Sequence, residues 1–480
     1  MHILPRNARS WFAAPRPHGR GLVLSRARQR AVLRNTFLVA TLLPATLAAQ
    51  SHAEFQQVLD RLDRLEKQNR ELLQQVTELR QELAATRATP EAAAVPPVTK
   101  LEEQVQIQGQ QIQDLAQTKV EASQRFPIRV TGMALFNTYL NSNLNGGNQY
   151  ATVASLTPGV DKGGATMRQS VIGLDFRGPT TLWAGKVQGS LYMDFFGGSG
   201  QSLDQLMRIR TGSVEIDWKS RSIMAGLEKP IFNPREPNSL AQVGISPLTG
   251  AGNLWLWVPQ VKFEQKFGLA PRTRVLAQIG VIKTSESLAL STTTYVPTVA
   301  TSRPGLEGRV EFSQGAEDGR RLEFAAGFHT SSTHVADTSV PSNLYSFDWF
   351  FNPVSKLEFT GAFFNGQNVM NLGTGGIRQG FVVEADGMAT PVHSIGGWAQ
   401  LTWLTTRRLS FNFFSGEQDD RNTDLFAGRI GRNWKYGANF FYRLAPNVLA
   451  SFEATQLRTT YISIGDRLYN HYDLSLAYQF

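Results

Sequence analysis

The chain has 480 residues, no cysteine, and a formal charge of +9 from 48 basic and 39 acidic side chains. The lack of cysteine excludes a disulfide framework, thiolate zinc sites and a Cys nucleophile. Eight arginines and no acid fall in residues 1–50, leaving 40 basic against 39 acidic side chains, so the basicity is no signal for nucleic acid.

The first 49 residues read as a secretory signal. Arginines from Arg6 to Arg34 precede an apolar run, Phe37 to Leu43, and small residues follow at Ala48, Ala49, Ser51 and Ala53. Residues 50–87 carry a heptad repeat. Phe55, Leu62, Asn69, Val76 and Leu83 are seven apart, as are Val58, Leu65, Leu72 and Leu79. This a/d stripe predicts a coiled coil that joins copies of the chain through Leu62, Leu65, Asn69, Leu72, Val76 and Leu79, the buried amide fixing register. Residues 88–98 form a Pro/Ala linker, and 99–125 a second, weaker helical segment.

From residue 126 to 480 the period changes from seven to two. No 18-residue apolar run occurs anywhere in the chain, so no membrane-crossing helix is expected, which leaves strands. Sixteen strands are predicted near 127–141, 166–177, 182–196, 204–218, 220–229, 256–268, 271–283, 303–314, 319–330, 342–352, 355–365, 392–404, 407–417, 430–444, 447–460 and 467–480. Tight turns are expected at Gly178–Thr181, Trp218–Arg221, Phe351–Val354, Thr405–Arg407 and Leu444–Asn447, alternating strictly with long Gly/Asn/Ser/Thr-rich loops. That asymmetry belongs to an all-β transmembrane barrel of sixteen antiparallel strands, preceded here by an α-helical coiled coil. Closure is required, because an open edge in hydrocarbon leaves backbone groups unpaired.

Individual strands read as two-faced. Val187, Leu191, Met193 and Phe195 alternate with Lys186, Gln188, Ser190, Tyr192 and Asp194. The last strand alternates Tyr472, Leu474, Leu476, Tyr478 and Phe480 with Asp473, Ser475, Ala477 and Gln479. Its terminal Tyr478 and Phe480 resemble the signal read by the outer-membrane barrel-assembly machinery. A barrel of sixteen strands leaves a water-filled lumen, and the long third loop, Pro230 to Leu254, resembles in position the loop that narrows the lumen of sixteen-stranded general porins. The basic residues best placed for an anion path are Arg208, Arg210, Lys229, Arg235, Lys262 and Arg274, with Asp194 and Glu228 among the carboxylates facing them.

Several short motifs resemble trimeric porins of the DcaP-like type, related to the phosphate-selective group. They are the heptads, Arg208-Ile209-Arg210, Ala225-Gly226-Leu227-Glu228-Lys229, Pro247-Leu248-Thr249-Gly250 and Val258-Pro259-Gln260-Val261-Lys262. The resemblance implies a homotrimer in the Gram-negative outer membrane, contacting lipid and lipopolysaccharide, with a periplasmic coiled coil and a preference for small anions such as dicarboxylates. The function expected is passive diffusion of small hydrophilic solutes. No cofactor, metal, nucleic acid or catalytic chemistry is expected: His329 and His334 have no acidic cluster beside them in sequence, and no phosphate-binding glycine loop opens a helix. The rival reading is a structural tether or adhesin linking the membrane to the cell wall through the coiled coil.

Overall fold

The computed structural model describes residues 128–198, 205–284, 299–300, 304–317, 319–335, 338–384 and 387–480. The signal, coiled-coil, linker and second helical segments expected before residue 126 lie outside these residues.

The described elements are strands. They are β1 (Ile128–Asn141), β2 (Lys162–Thr166), β3 (Val171–Thr180), β4 (Lys186–Gly197), β5 (Leu206–Asp217), β6 (Arg221–Glu228), β7 (Val258–Ala270), β8 (Thr273–Lys283), β9 (Val299–Ala300), β10 (Pro304–Gly315), β11 (Arg321–Val335), β12 (Thr338–Val354), β13 (Leu357–Gln367), β14 (Phe381–Val383), β15 (Ala389–Pro391), β16 (His393–Leu404), β17 (Leu409–Asp420), β18 (Ile430–Ala445), β19 (Val448–Tyr461) and β20 (Gly465–Gln479). Three short 3-10 turns complete them. Sixteen long strands form the wall, each antiparallel to the next. β2 and β9 are short additions to the rim, and β14–β15 is a separate hairpin within one loop. The ring closes where β1 pairs with both β20 and β3, Met133 opposite Gln479 and Ile128 opposite Phe176.

Period-two side chains produce the wall, because successive residues of a strand point to opposite faces. Tyr472, Leu474, Leu476, Tyr478 and Phe480 are exposed on the outside, while Asp473, Ser475 and Ala477 are buried within. The exposed apolar set continues round the ring through Val214, Val261, Val310, Phe347, Ile395 and Phe452. Cross-strand ring pairs Phe312–Phe324, Phe351–Phe359 and Trp403–Phe411 lie toward the tight-turn end. They form the kind of aromatic belt that suits a membrane interface.

Three expectations are corrected. The first turn lies at 181–185, not 178–181: β3 continues through Thr180, and Trp183 and Ala184 take up the left-handed backbone of the turn. β12 likewise continues through Asn352 and Pro353, a bulge between Phe351 and Val354 absorbing the proline, so the turn is at 355–356. Connection lengths do not alternate strictly, since only two residues separate β11 from β12 and three separate β19 from β20.

The barrel interior holds an apolar core as well as polar groups. Loop residues Leu240, Leu248, Phe232 and Leu254 pack onto inward-facing Leu135, Leu449, Trp398, Phe414, Leu344 and Phe364. These inward wall positions face a folded loop.

Candidate functional site

The connection between β6 and β7, residues 229–257, enters the lumen and is bonded to strands round most of the ring. Near its start the Ile231 N–H donates to Glu307 Oε2 at 2.7 Å, and Ser346 Oγ donates to the Phe232 carbonyl. Arg235 donates to Asp348 at 2.6 Å and Glu323 at 3.1 Å, and Glu311 lies 3.5 Å away. Arg309 on β10 shares Asp348 and Glu311. Arg321 adds a third guanidinium, 3.2 Å from Glu323, so three guanidiniums and three carboxylates form one network between the loop and β10–β12, its charges satisfying one another.

The loop next reaches the opposite side. The Asn238 N–H donates to Gln400, Asn439 donates to the Asn238 carbonyl, and Ser239 Oγ donates to Glu453 at 2.5 Å. Asn137 on β1 donates to the Leu240 carbonyl, and Lys435 donates to Gln242. The buried Gln169 amide donates to the Ala241 carbonyl and accepts from the Val243 and Gly244 N–H groups. Arg210 and Arg208 on β5 then donate to the carbonyls of Val243 and Gly244. The return arm seats against β16 and β17, where backbone meets backbone: a Cβ at Gly252 would collide with the Gly397 carbonyl, and one at Gly416 with the Ala251 carbonyl.

This path divides the inner wall in two. From β10 through β20 and on to β1, the inward side chains of the middle stretches are buried, among them Glu307, Asp348, Gln400, Asn412, Asn433, Glu453, His471 and Asn137. From β3 through β8 many stay part-exposed: Asp175, Ser190, Ser213, Glu215, Lys262, Glu264 and Gln278 are intermediate, and Arg177, Lys266 and Arg274 are exposed. Water therefore has access along one side, between the loop and β3–β8.

The residues singled out in the sequence fall on this frame as follows. Arg208 and Arg210 stand on β5 beside Asp194 of β4, at 2.8 and 2.9 Å. Trp257 lies against both guanidiniums, 5.1 and 4.9 Å from the ring centre, and Phe196 lies under Arg208 and Arg168. Two cations share one fully buried carboxylate, which leaves this pair net positive. Lys229 pairs with Glu236 at 2.6 Å, and Lys262 with Glu264 at 2.6 Å. Glu228 ends β6, close enough to Lys262 and Lys229 to feel both charges. Arg274 donates to Ser313 Oγ and makes no ion pair among the described residues. Arg235 stands apart from these, in the carboxylate network of β10–β12. The opposed charges on β4–β7 run along one wall, not across the lumen. Tyr478 and Phe480 are exposed on the outer face, with Phe480 tied by its backbone to Gly132. The six heptad residues lie outside the described residues.

Sequence reasoning missed Gln169, Arg309, Asp348, Glu236 and Glu453. All but Glu236 sit at inward positions of predicted strands or beside them, so the alternation marked their face without revealing what the loop would bring to them.

No protein-family model and no curated protein sequence matches this chain. Among solved structures it is similar to the outer membrane channel DcaP of Acinetobacter baumannii, at 18% identity and a TM-score of 0.59, covering 74% of this chain and 97% of that one. It is also similar to an anion-selective porin from Comamonas acidovorans, at 10% identity and a TM-score of 0.50, covering 74% of this chain and 99% of that one. At these identities the likeness is one of fold: a sixteen-stranded barrel shared with outer-membrane channels.

Proposed function

We infer that this chain is an outer-membrane porin through which small hydrophilic solutes diffuse along the strip between the third loop and β3–β8. The observation carrying this reading is a closed wall, apolar outside, whose inward charges remain open to water on one side only. A folded loop that leaves a charged, off-centre passage narrows a pore without sealing it. The likeness of fold to outer-membrane channels supports the same reading and the outer-membrane location.

The passage favours small anions, dicarboxylates among them. Arg208 and Arg210 share the single carboxylate of Asp194 where the loop approaches β5, and fixed guanidiniums replace lost hydration for a carboxylate solute. Lys229, Lys262 and Arg274 extend the basic track along β6–β8, and Glu228 interrupts it. Three chains held by the heptads of residues 50–87 form the assembly, with the coiled coil in the periplasm, and Tyr478 and Phe480 present the assembly signal.

Reversal potential across planar bilayers under a salt gradient tests the selectivity. Arg208→Ala combined with Arg210→Ala should lower the anion-to-cation permeability ratio, and an unchanged potential would remove both residues from the path. Insertions that carry three equal conductance steps would support three pores per assembly. A protein that inserts and never conducts would leave the tether reading in place of transport.

A further inference from the structure

Behind the third loop, β19 and β20 carry a buried polar cluster, with Lys435 of β18 near it, that the passage does not use. Glu453 stands directly opposite Asp473, flanked by the pairs Thr455–His471 and Ser451–Ser475. Side chains two apart on a strand share a face, so all six point inward, and all are buried. Five of their atoms have no hydrogen-bond partner: Ser451 Oγ, Glu453 Oε1, Thr455 Oγ1, His471 Nε2 and Asp473 Oδ2.

The hydrogen-bond network fixes what these atoms offer. Asn141 donates through Nδ2 to the Gln149 carbonyl, so its Oδ1 is the acceptor that faces His471 Nδ1 at 2.6 Å. The neutral His471 ring therefore carries its proton on Nδ1 and presents a lone pair at Nε2. All five orphan atoms can then act as electron-pair donors, two of them carboxylate oxygens. The Ser451 and Thr455 hydroxyls also carry a proton but make no hydrogen bond, so the two carboxylate oxygens stay buried without a donor, a costly arrangement unless something positive sits beside them.

The charges agree. The ionisable groups of the cluster are the Glu453 and Asp473 carboxyls and the Lys435 ammonium of β18. Lys435 donates to Gln242 and forms no ion pair with either carboxylate among the described residues. β1 contributes the neutral Asn137, and the third loop the neutral Ser239, Leu240 and Gln242. The Tyr150 phenol, from the loop after β1, is neutral too: burial first, and then the nearby Asp473 charge, push its pKa well above the usual tyrosine value. With both carboxyls ionised, Lys435 leaves one negative charge over in a buried cluster, and a bound cation would balance it.

We propose that this cluster binds one hydrated monovalent cation, sodium being the ion to test, between Glu453 Oε1 and Asp473 Oδ2, with Ser451, Thr455 and His471 reached only through its water. Hard oxygen donors suit such an ion. Among the described residues no three His, Asp or Glu side chains converge closely enough to chelate a metal ion directly, so the cation keeps part of its water. The site also touches the third loop: Glu453 accepts from Ser239, and Asp473 accepts from Asn137, which holds the Leu240 carbonyl. Occupancy therefore steadies the stretch 239–240.

The test uses the full chain in detergent, with thermal unfolding followed while sodium chloride replaces choline chloride at constant chloride and ionic strength. The wild type should gain a few degrees, saturably, because a ligand that binds only the folded state raises its melting point. Asp473→Asn and Glu453→Gln each remove the excess charge and should abolish the sodium effect, while Asp161→Asn, on an exposed loop, should keep it. Thr455→Val leaves the charge in place and should raise the half-saturating sodium concentration roughly tenfold. Identical melting in sodium and choline overturns the proposal, as does an undiminished sodium effect in both amide variants. Melting that follows pH and ignores sodium also overturns it, by assigning the counter-charge to a shared proton.

Discussion

The two halves of the inner wall are built from the same alternating strands and do different work. On β10–β20 and β1, inward polar and apolar groups are consumed by the third loop: Asp348 and Glu323 by Arg235, Gln400 and Asn439 by Asn238, Trp398 and Phe414 by Leu248. On β3–β8 the inward charges pair with neighbours on their own wall, as Lys262 does with Glu264, and stay in reach of water. An inward polar residue is thus not a pore residue by virtue of its face. What decides is whether the loop covers it. The packed half should answer mutation in stability, and the open half in conductance.

The largest effect should come from the packed half. Arg309→Ala leaves Asp348 and Glu311 short of a cation where the arginine is almost wholly buried. Removing one partner of a buried pair costs about 3–5 kcal/mol, so the thermal midpoint should fall sharply while ion selectivity stays near that of the wild type. A variant that melts normally and changes selectivity would reverse the assignment of the two halves. Leu248→Ala acts on the same half through packing. Its side chain is fully buried against Ala362, Trp398 and Phe414, and such a truncation costs about 3 kcal/mol. Because the loop loses its seat, its channel should also grow noisier in single-channel records, which a change in the wall alone would not produce.

How much of this was legible in the sequence follows the same division. The wall was legible because period two is local: each strand declares its own faces, and the final strand from Tyr472 to Phe480 stated the rule most plainly. Strand ends were legible to a few residues, apart from Pro353 and Gly178–Pro179, which read as turns and lie within strands. The site was legible only in part. Arg208, Arg210 and Asp194 could be marked as inward and charged, and they do come together. Arg235 looked equivalent to them and is not, because its partners Asp348 and Glu323 lie about a hundred residues away and are chosen by the loop's path. That path depends on backbone features with little sequence signal, such as the left-handed Leu248 and the glycine contacts at Gly252 and Gly416. Inward aromatics such as Trp398 and Phe414 broke the polar-in pattern, and that break was the one local sign of a packed interior.

In the open half, Asp194→Asn should sharpen the contrast. Arg208 and Arg210 would keep their carbonyl partners, Gly244 and Val243, but lose their shared carboxylate. One unit of charge about 7 Å from a solute in water is worth roughly 0.6 kcal/mol, or about threefold in permeability. The reversal potential should move toward the anion limit by that factor, opposite in sign to the double arginine variant. A shift toward cations would mean that the guanidiniums collapse away from the passage once Asp194 is neutral.

The smallest effect concerns two neighbours that face opposite halves. Arg235 reaches the packed wall, and Glu236, the next residue, reaches back to Lys229 beside the open strip. Burial alone would raise the Glu236 carboxyl, but Lys229, with Ser246 and Arg210, outweighs it and holds the pKa below the ordinary glutamate value. A carboxyl lowered on folding adds stability above its unfolded pKa, near about 4.3, and that contribution is lost as the pH falls through the lower folded value. The Lys229–Glu236 latch should therefore hold at neutral pH and at pH 5, and loosen only in stronger acid. Lys229→Met removes the leading opposing charge, so burial gains weight and the loosening should move to higher pH. Single-channel conductance recorded through the acid range reads this directly, since the latch borders the passage. Coincident acid midpoints in wild type and Lys229→Met would show that the loop's entry is held from the packed side alone, through Arg235 and Ile231.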